Sequence, residues 1–216
     1  MVYKPKSNLT PEERKAQKIF HKMKAHAQHI KDKDKEYLLS FDREGNFVFE
    51  HTDEKQSEVG YGDHNWYTEV VGHMLVHNHP RGNCFSPEDL NMGKYVKEIW
   101  AVTGDRIQIF RWNKNDWNIK DGESQGSWEM NANAFMNKLK SKYDNGEFFS
   151  SASKEWNDKH GGHAIDAMKY KNWDDYKKAV DKRAEEVIKI TQRKQREFFK
   201  NNQEIYGFTF TERKWK

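Results

Sequence analysis

The spacing of apolar and polar positions along the chain predicts helices interspersed with strands. Between residues 20 and 30, apolar residues recur at three- and four-residue steps, which predicts an amphipathic helix. Thr10, Pro11 and Glu13 supply a capping box and a favoured first residue at its start. The charged run KDKDK follows and predicts a solvated link. We therefore expect residues 1–35 to form an N-terminal helical arm.

Other stretches alternate, or run apolar, over lengths typical of strands. The stretch EYLLSFDREGNFVFEHTD predicts two strands joined by a turn that contains Gly45. HMLVHNH predicts a short, largely apolar strand, and WAVTGDRIQIFRW predicts a strand pair or a strand that follows a turn. Near the end of the chain, EIYGFTFTERKW alternates and predicts a late strand at a sheet edge.

Several stretches predict helices. NWYTEVVGH predicts a short helix, and SPEDLNMGKYVKEI and EMNANAFMNKLKSKY predict two more. Residues 174–203 carry the longest helical pattern, with apolar residues mostly on one face. The segment 144–164 has no clear period, and together with the polar stretch before it indicates an insertion over about 114–164. These elements predict an α/β domain over 36–216, a mixed sheet flanked by helices with a long C-terminal helix.

Composition narrows the expected setting of the protein. Charged residues make up 33% of the chain and hydrophobic residues 35%, but aromatic residues reach 14% and can bury a large area each. A net charge of +4 permits a weak attraction to nucleic acid but does not by itself argue for nucleic-acid binding, which we do not expect. Cys84 stands alone, which excludes an internal disulfide and a Cys-based zinc cluster. Without a long apolar run, we expect no membrane span and a cytoplasmic, reducing location.

The stretch LVHNHPRGNCFSPEDL concentrates the residue types that carry chemistry. In a strand, residues two apart point to the same face, so His77 and His79 project side by side. Two fixed imidazoles make half of a zinc site, and Asp89 can return across the loop as a third ligand, leaving a position for water. Pro80 and Gly82 provide the turn that this return requires. The stretch therefore predicts a metal site.

The same stretch also has a purely structural interpretation. Ser86 as N-cap, Pro87 in the first helical position and Asp89 as the capping carboxylate make a good helix start. Histidines at a strand end are usually partly exposed polar residues. Cys84 lies in the same loop and is interpreted as a small side chain near the pocket. Both interpretations use Asp89, and the sequence leaves both open.

HNHP at residues 77–80, followed by Gly82, Ser86 and Asp89, resembles the signature of the JAB/MPN (JAMM) metalloproteases. The likeness is nearest to the prokaryotic RadC-like and phage-associated branches. It is strong over this stretch and fainter over residues 36–112, where a Glu-bearing strand, a turn, a His strand, an Asp helix and a strand follow in order. The loop before Asp89 is one residue shorter than is usual in the family, and this shorter loop resembles the phage-associated branch.

The resemblance implies a JAB/MPN-like fold with a cytidine-deaminase-like sheet order. It also implies a Zn²⁺ ion held by His77, His79 and Asp89, with Ser86 stabilising the oxyanion by hydrogen bonding. An upstream glutamate would act as the catalytic base and hold the water on the metal. The implied activity is zinc-dependent cleavage of a peptide or isopeptide bond in a protein or peptide substrate.

The identity of that glutamate stays open. The family places it on an early strand before the turn, and Glu36 matches this context. Glu50 and Glu58, from the next strand and the segment after it, are the alternatives.

Two other functions also remain open. The domain could be a catalytically inactive MPN-like interaction module with a protein partner. It could also be an accessory protein of a phage or mobile element that acts in particle assembly or nucleic-acid processing. The intact set of histidines, serine and aspartate favours the hydrolase.

Overall fold

A six-stranded mixed β-sheet with helices on both faces forms the framework of the protein. The computed structural model describes residues 9–54, 69–113, 127–161, 165 and 167–215. The strands are β1 (Leu38–Phe41), β2 (Phe47–His51), β3 (Met74–Asn78), β4 (Glu98–Val102), β5 (Arg106–Trp112) and β6 (Phe208–Lys214). The helices are α1 (Pro11–Ile30), α2 (Pro87–Met92), α3 (Ser127–Asp144), α4 (Glu147–Lys159) and α5 (Trp173–Tyr206).

The order of strands across the sheet is β2-β1-β3-β4-β5-β6. β3 and β4 are parallel, and the other neighbouring pairs are antiparallel. A parallel pair needs a crossover connection, and α2 lies within the one that joins β3 to β4. The chain therefore leaves the carboxyl end of β3 and enters α2 within a few residues.

Each face of the sheet has its own apolar core, because successive side chains of a strand point to opposite faces. Val76 and Trp100 belong to the core that α1 covers. Leu75 and Ala101 belong to the larger core that α2, α3, α4 and α5 cover. His77 has the same parity as Leu75, so its side chain lies on the face of this larger core.

Much of the predicted architecture is confirmed. α1 begins with the capping box between Thr10 and Glu13. β1 and β2 form a hairpin whose turn contains Gly45 at a φ of 76°, a conformation that glycine adopts without strain. β4 and β5 form an antiparallel pair, and β6 lies at the sheet edge after the long helix α5. α1 packs on the sheet through Met23 and Ala27, so the predicted arm is a layer of the fold.

Two predicted segments differ from the structure. The helix expected from SPEDLNMGKYVKEI ends at Met92, with Gly93 as its C-cap, and residues from Glu98 pair with β3 instead. The segment 144–164, which showed no clear period, contains α4. This helix buries Phe148, Ala152 and Trp156 at four-residue steps, a stripe too narrow to stand out among its polar neighbours.

Other predicted segments lie partly or wholly outside the described residues. Residues 65–68 of the short helix expected in NWYTEVVGH are among them, and 69–72 form turns. Residues 114–126 of the predicted polar insertion are also among them, whereas 127–159 are mostly helical. Within the described ranges, none of the helices combines the length and apolar character needed to cross a membrane.

Candidate metal centre

The end of β3 and the start of α2 bring His77, His79 and Asp89 together. The Nε2 atoms of the two histidines are 2.6 Å apart. The Asp89 carboxylate lies 3.2 Å from Nε2 of His77 and 3.5 Å from Nε2 of His79. One ligand atom from each residue lies within 4.8 Å of the others, and all three residues are buried. The predicted ligands therefore converge on one point.

These distances can be compared with those of a zinc site. Ligand atoms about 2.0–2.1 Å from a tetrahedral zinc ion lie roughly 3.3 Å from one another. The two distances from Asp89 are close to this value, one from Oδ1 to His77 and the other from Oδ2 to His79. The 2.6 Å between the imidazole nitrogens is a hydrogen-bond length, so these nitrogens must separate by less than about 1 Å to share an ion.

A backbone carbonyl fixes the tautomer of His79. Its Nδ1 lies 2.9 Å from the carbonyl oxygen of Asn83. A carbonyl oxygen only accepts, so Nδ1 carries the proton and donates it. In the neutral ring the lone pair is then on Nε2, the atom that faces Asp89. Metal-binding histidines are commonly oriented by such an outer hydrogen bond.

Helix α5 supports the loop that carries Asn83. The amide nitrogen of Gln192 donates to the carbonyl of Arg81 at 2.9 Å. The backbone N–H of Cys84 donates to Oε1 of Gln195 at 3.3 Å. Gly82 turns the chain at a φ of 71°. The loop between the second histidine and α2 is therefore held by a helix more than 100 residues away in the chain.

The structure confirms the helix-cap interpretation of the SPED stretch, and it also places the carboxylate of Asp89 beside the two histidines of the metal interpretation. The backbone N–H of Asp89 donates to Oγ of Ser86 at 3.1 Å, and the backbone N–H of Ser86 donates to Oδ2 of Asp89 at 2.7 Å. This is the predicted capping box. The same carboxylate also faces both histidines. A carboxylate has enough lone pairs to accept the cap hydrogen bond and face a cation at once.

The three side chains influence one another's protonation. Burial alone would raise the pKa of Asp89, but the neighbouring histidines hold it well below its usual range. Burial lowers the pKa of His77, and the Asp89 carboxylate offsets this only in part. Burial is the largest single influence on His79 and would lower its pKa, but the Asp89 carboxylate, the Asn83 carbonyl and Glu36 together raise it. Asp89 is therefore ionised beside the two histidines, and these three residues form a group that could hold a metal ion.

A cavity of about 130 Å³ is lined by two of the three predicted ligands, His79 and Asp89. Glu36 lies two residues before Leu38 and shares its parity, so it lies on the face that carries His77. The residues that line the cavity are Glu36, His79, Arg81, Asn83, Cys84, Ser86, Asp89 and Tyr143.

The structure separates the candidate glutamates. Glu36 lines the cavity together with His79. Glu50 pairs with Leu39, on the face that α1 covers, and its carboxylate lies 2.9 Å from Nε2 of His29. Glu58 is outside the described residues. Of the two described candidates, Glu36 is the one beside the predicted ligands.

Asn78, which lies between the two histidines, anchors the segment that carries Glu36. Its side chain accepts from the backbone N–H of Tyr37 at 2.7 Å and donates to the carbonyls of Lys35 at 2.8 Å and Lys33 at 3.2 Å. These hydrogen bonds hold both residues that flank Glu36. The sequence carried no signal for this role beyond the position of Asn78 in the HNH run.

Tyr143 is a cavity residue that sequence reasoning missed. It lies near the end of α3, and its hydroxyl donates to the carbonyl of Phe85 at 3.2 Å. Burial raises the pKa of this phenol well above its usual value, so it stays a neutral hydrogen-bond donor. No local motif could reveal it, because the contact joins residues 58 positions apart.

Cys84 is expected to be unreactive in the folded protein. Its side chain is buried, and burial raises the pKa of the thiol far above its usual value. Because the thiolate is the nucleophile, we expect Ellman's reagent at pH 8 to react at least about 100-fold more slowly with native than with guanidinium-unfolded protein. Native and unfolded rates within tenfold of each other would contradict this burial.

Comparison with known proteins adds no relative. No protein-family model matches the chain, and neither a curated protein nor a solved structure matches it. The likeness to JAB/MPN metalloproteases therefore rests on the residues of the HNHP stretch.

Proposed function

We propose that this protein is a zinc-dependent hydrolase of the JAB/MPN type that cleaves a peptide or isopeptide bond. The observation that carries the proposal is the convergence of His77, His79 and Asp89 beside a cavity that Glu36 also lines. The order of elements supports it: Glu36 precedes β1, the histidines end β3, and Asp89 begins α2.

The donor set suits zinc. Two imidazole nitrogens and one carboxylate are borderline ligands that zinc accepts in a tetrahedral arrangement, with a fourth position left for water. The proton on Nδ1 of His79 leaves Nε2 available as a ligand. Zinc in this position supplies a Lewis acid that lowers the pKa of a coordinated water to around 7.

Glu36 has the position of a general base. Its carboxylate accepts a proton from the attacking water and delivers it to the nitrogen of the scissile bond. A carbon–oxygen bond forms, the carbon–nitrogen bond breaks, and the products are a carboxylate and an amine. Asn78 holds the backbone on both sides of Glu36, which supports a defined position of this residue beside the cavity.

Ser86 is suited to stabilise the substrate oxygen as negative charge develops on it. Its Oγ accepts the cap hydrogen bond from the Asp89 N–H. The hydroxyl proton of Ser86 therefore remains available for donation into the cavity that this side chain lines. A donor aimed at the developing charge lowers the barrier of such a reaction.

Zinc content per chain tests the proposed metal site. We expect about one zinc per chain in the wild type and none in the His77→Ala, His79→Ala double variant, measured by atomic emission after zinc is supplied and excess removed. His73→Gln is the matched control. His73 lies just before β3 and shares the parity of the ligands, but it bonds to Oγ of Ser40 at 2.9 Å and lies outside the ligand cluster.

The metal measurement is decisive in either direction. Zinc that is present in the wild type and in His73→Gln, and absent from the double variant, would support the site. A wild type that binds no zinc would refute the hydrolase proposal. The HNHP stretch would then be a strand end and a helix cap, and circular dichroism of the double variant would show whether the fold survives.

A further inference from the structure

One row of residues crosses the sheet at the level of the first predicted ligand. Leu38 pairs with His77, His77 with Ala101, Ala101 with Gln108, and Gln108 with Glu212. Side chains in such a row lie on the same face. The row therefore places Gln108 on the face of His77, with the small side chain of Ala101 between them.

The buried polar atoms that lack a partner concentrate in this row. Among the described residues, four buried side-chain nitrogen or oxygen atoms have no hydrogen-bond partner, and three of them belong to His77 and Gln108. They are Nδ1 of His77 and both amide atoms of Gln108. Both side chains are almost completely buried. Buried polar atoms are nearly always paired, so two such groups in one row require an explanation.

The geometry suits a single bridging molecule. Strands lie about 4.8 Å apart, so the backbones of β3 and β5 are about 9.6 Å apart across β4. The side chains of His77 and Gln108 span part of that distance, and Ala101 fills little of the space between them. Phe85 is fully buried, with its ring centroid 6.2 Å from that of His77 and 5.8 Å from that of Phe110. Phe85 therefore packs on the same face of the sheet as His77 and Phe110.

We propose that Gln108 is a positioning residue for His77, and that its amide oxygen accepts the Nδ1 proton of His77 through one buried water above Ala101. The inference rests on the proposed metal site. When Nε2 of a neutral His77 is a ligand, Nδ1 carries the proton and needs an acceptor. A glutamine provides that acceptor without placing a second negative charge beside Asp89.

His79 shows the equivalent arrangement with a direct partner. Its Nδ1–H donates to the Asn83 carbonyl, which orients the ring. His77 lies within the sheet, where its backbone groups are committed to strand pairing. Gln108, two strands away, therefore orients His77 as the Asn83 carbonyl orients His79.

Gln108→Met tests this role, because methionine has a similar shape and cannot accept the proton. We expect zinc affinity, measured by chelator competition, to fall about 10–100-fold, as is typical when an outer partner of a ligand is lost. In nitrogen-15 spectra of the zinc-loaded wild type, the His77 Nδ1–H signal should be slowly exchanging, and in Gln108→Met it should shift or broaden. The free energy of unfolding without zinc should stay equal or rise, because the two amide atoms of Gln108 have no hydrogen-bond partner within the protein and methionine buries no polar atom in their place.

Two further variants make the test specific. Ile109→Met changes the next residue of the same strand on the face of α1, and it should leave zinc affinity and the His77 signal unchanged. Ala101→Val fills the space between the two side chains and should act like Gln108→Met, which covers the case that one variant folds poorly. Unchanged affinity and an unchanged His77 signal in both Gln108→Met and Ala101→Val would overturn this role while leaving the metal site intact. A wild type that binds no zinc would overturn the metal site as well.

Discussion

Glu36→Gln is expected to lower the hydrolytic turnover of the zinc-loaded protein by about 10²–10⁴-fold, the usual contribution of a positioned general base. Glutamine keeps the shape of the side chain but cannot take up the proton of the attacking water. Zinc content should stay at the wild-type level, because Glu36 is not in the ligand cluster. The measurement uses a mixture of peptides and lysine-linked isopeptides, with new amine and carboxylate ends identified by mass spectrometry.

The hairpin supplies the matched control for this experiment. Glu50→Gln makes the same substitution in β2, but on the face covered by α1, where Glu50 contacts His29. Its turnover should stay within about twofold of the wild type, as expected for a residue outside the reacting site. Equal losses in both variants would point to a general structural effect. Wild-type turnover in Glu36→Gln would remove Glu36 from the proposed mechanism, and Glu58→Gln would be the next variant to assay.

Phe85→Ala is expected to reduce the free energy of unfolding by about 3–5 kcal/mol, the usual cost of truncating a buried phenylalanine. Phe85 is fully buried, and its ring contacts both the site and the larger core. Its ring centroid lies 6.2 Å from His77, 6.4 Å from His79 and 6.0 Å from Phe199. Urea denaturation of the metal-free protein measures the change and keeps zinc binding out of the comparison.

Two substitutions calibrate the Phe85 result. Phe85→Leu keeps an apolar side chain of smaller size and should cost about 1–2 kcal/mol. Phe149→Ala removes the same side chain from an exposed position on α4, 57% accessible to solvent, and should change stability by less than about 0.5 kcal/mol. A Phe85→Ala variant as stable as Phe149→Ala would show that Phe85 does not anchor the site to the core.

Local sequence signals were reliable where the contact that matters is local. The capping boxes of α1 and α2 join residues three apart, and both could be predicted from the sequence. His77 and His79 could be paired from the strand period alone. The positions of Ser86 as N-cap and Asp89 as capping carboxylate could both be predicted from the SPED motif.

Features that depend on residues distant in the chain could not be predicted from the sequence. Asn78 binds backbone groups more than 40 residues earlier, and Gln195 binds the loop from 111 residues later. Nothing in the stretch around Tyr143 indicates that α3 brings it to the cavity. Glu36 could be distinguished from Glu50 only when the pairing of β1 and β2 showed which face each occupies. Strand pairing between distant segments is the information that a periodic pattern lacks.

The side chains of His77, Asn78 and His79 alternate between the two faces of the sheet, and this alternation disfavours a shift in the register of β3. The two histidines must face the larger core, and Asn78 must face the segment at residues 33–37. A slip of β3 by one residue would exchange these faces, because strand side chains repeat with a period of two. The slipped strand would lose the ligands and the anchor of Glu36 in a single step, and it would bury two imidazoles against α1. These three adjacent residues thus specify the register of β3. A one-residue insertion or deletion in β3 should therefore be among the least tolerated changes in the chain.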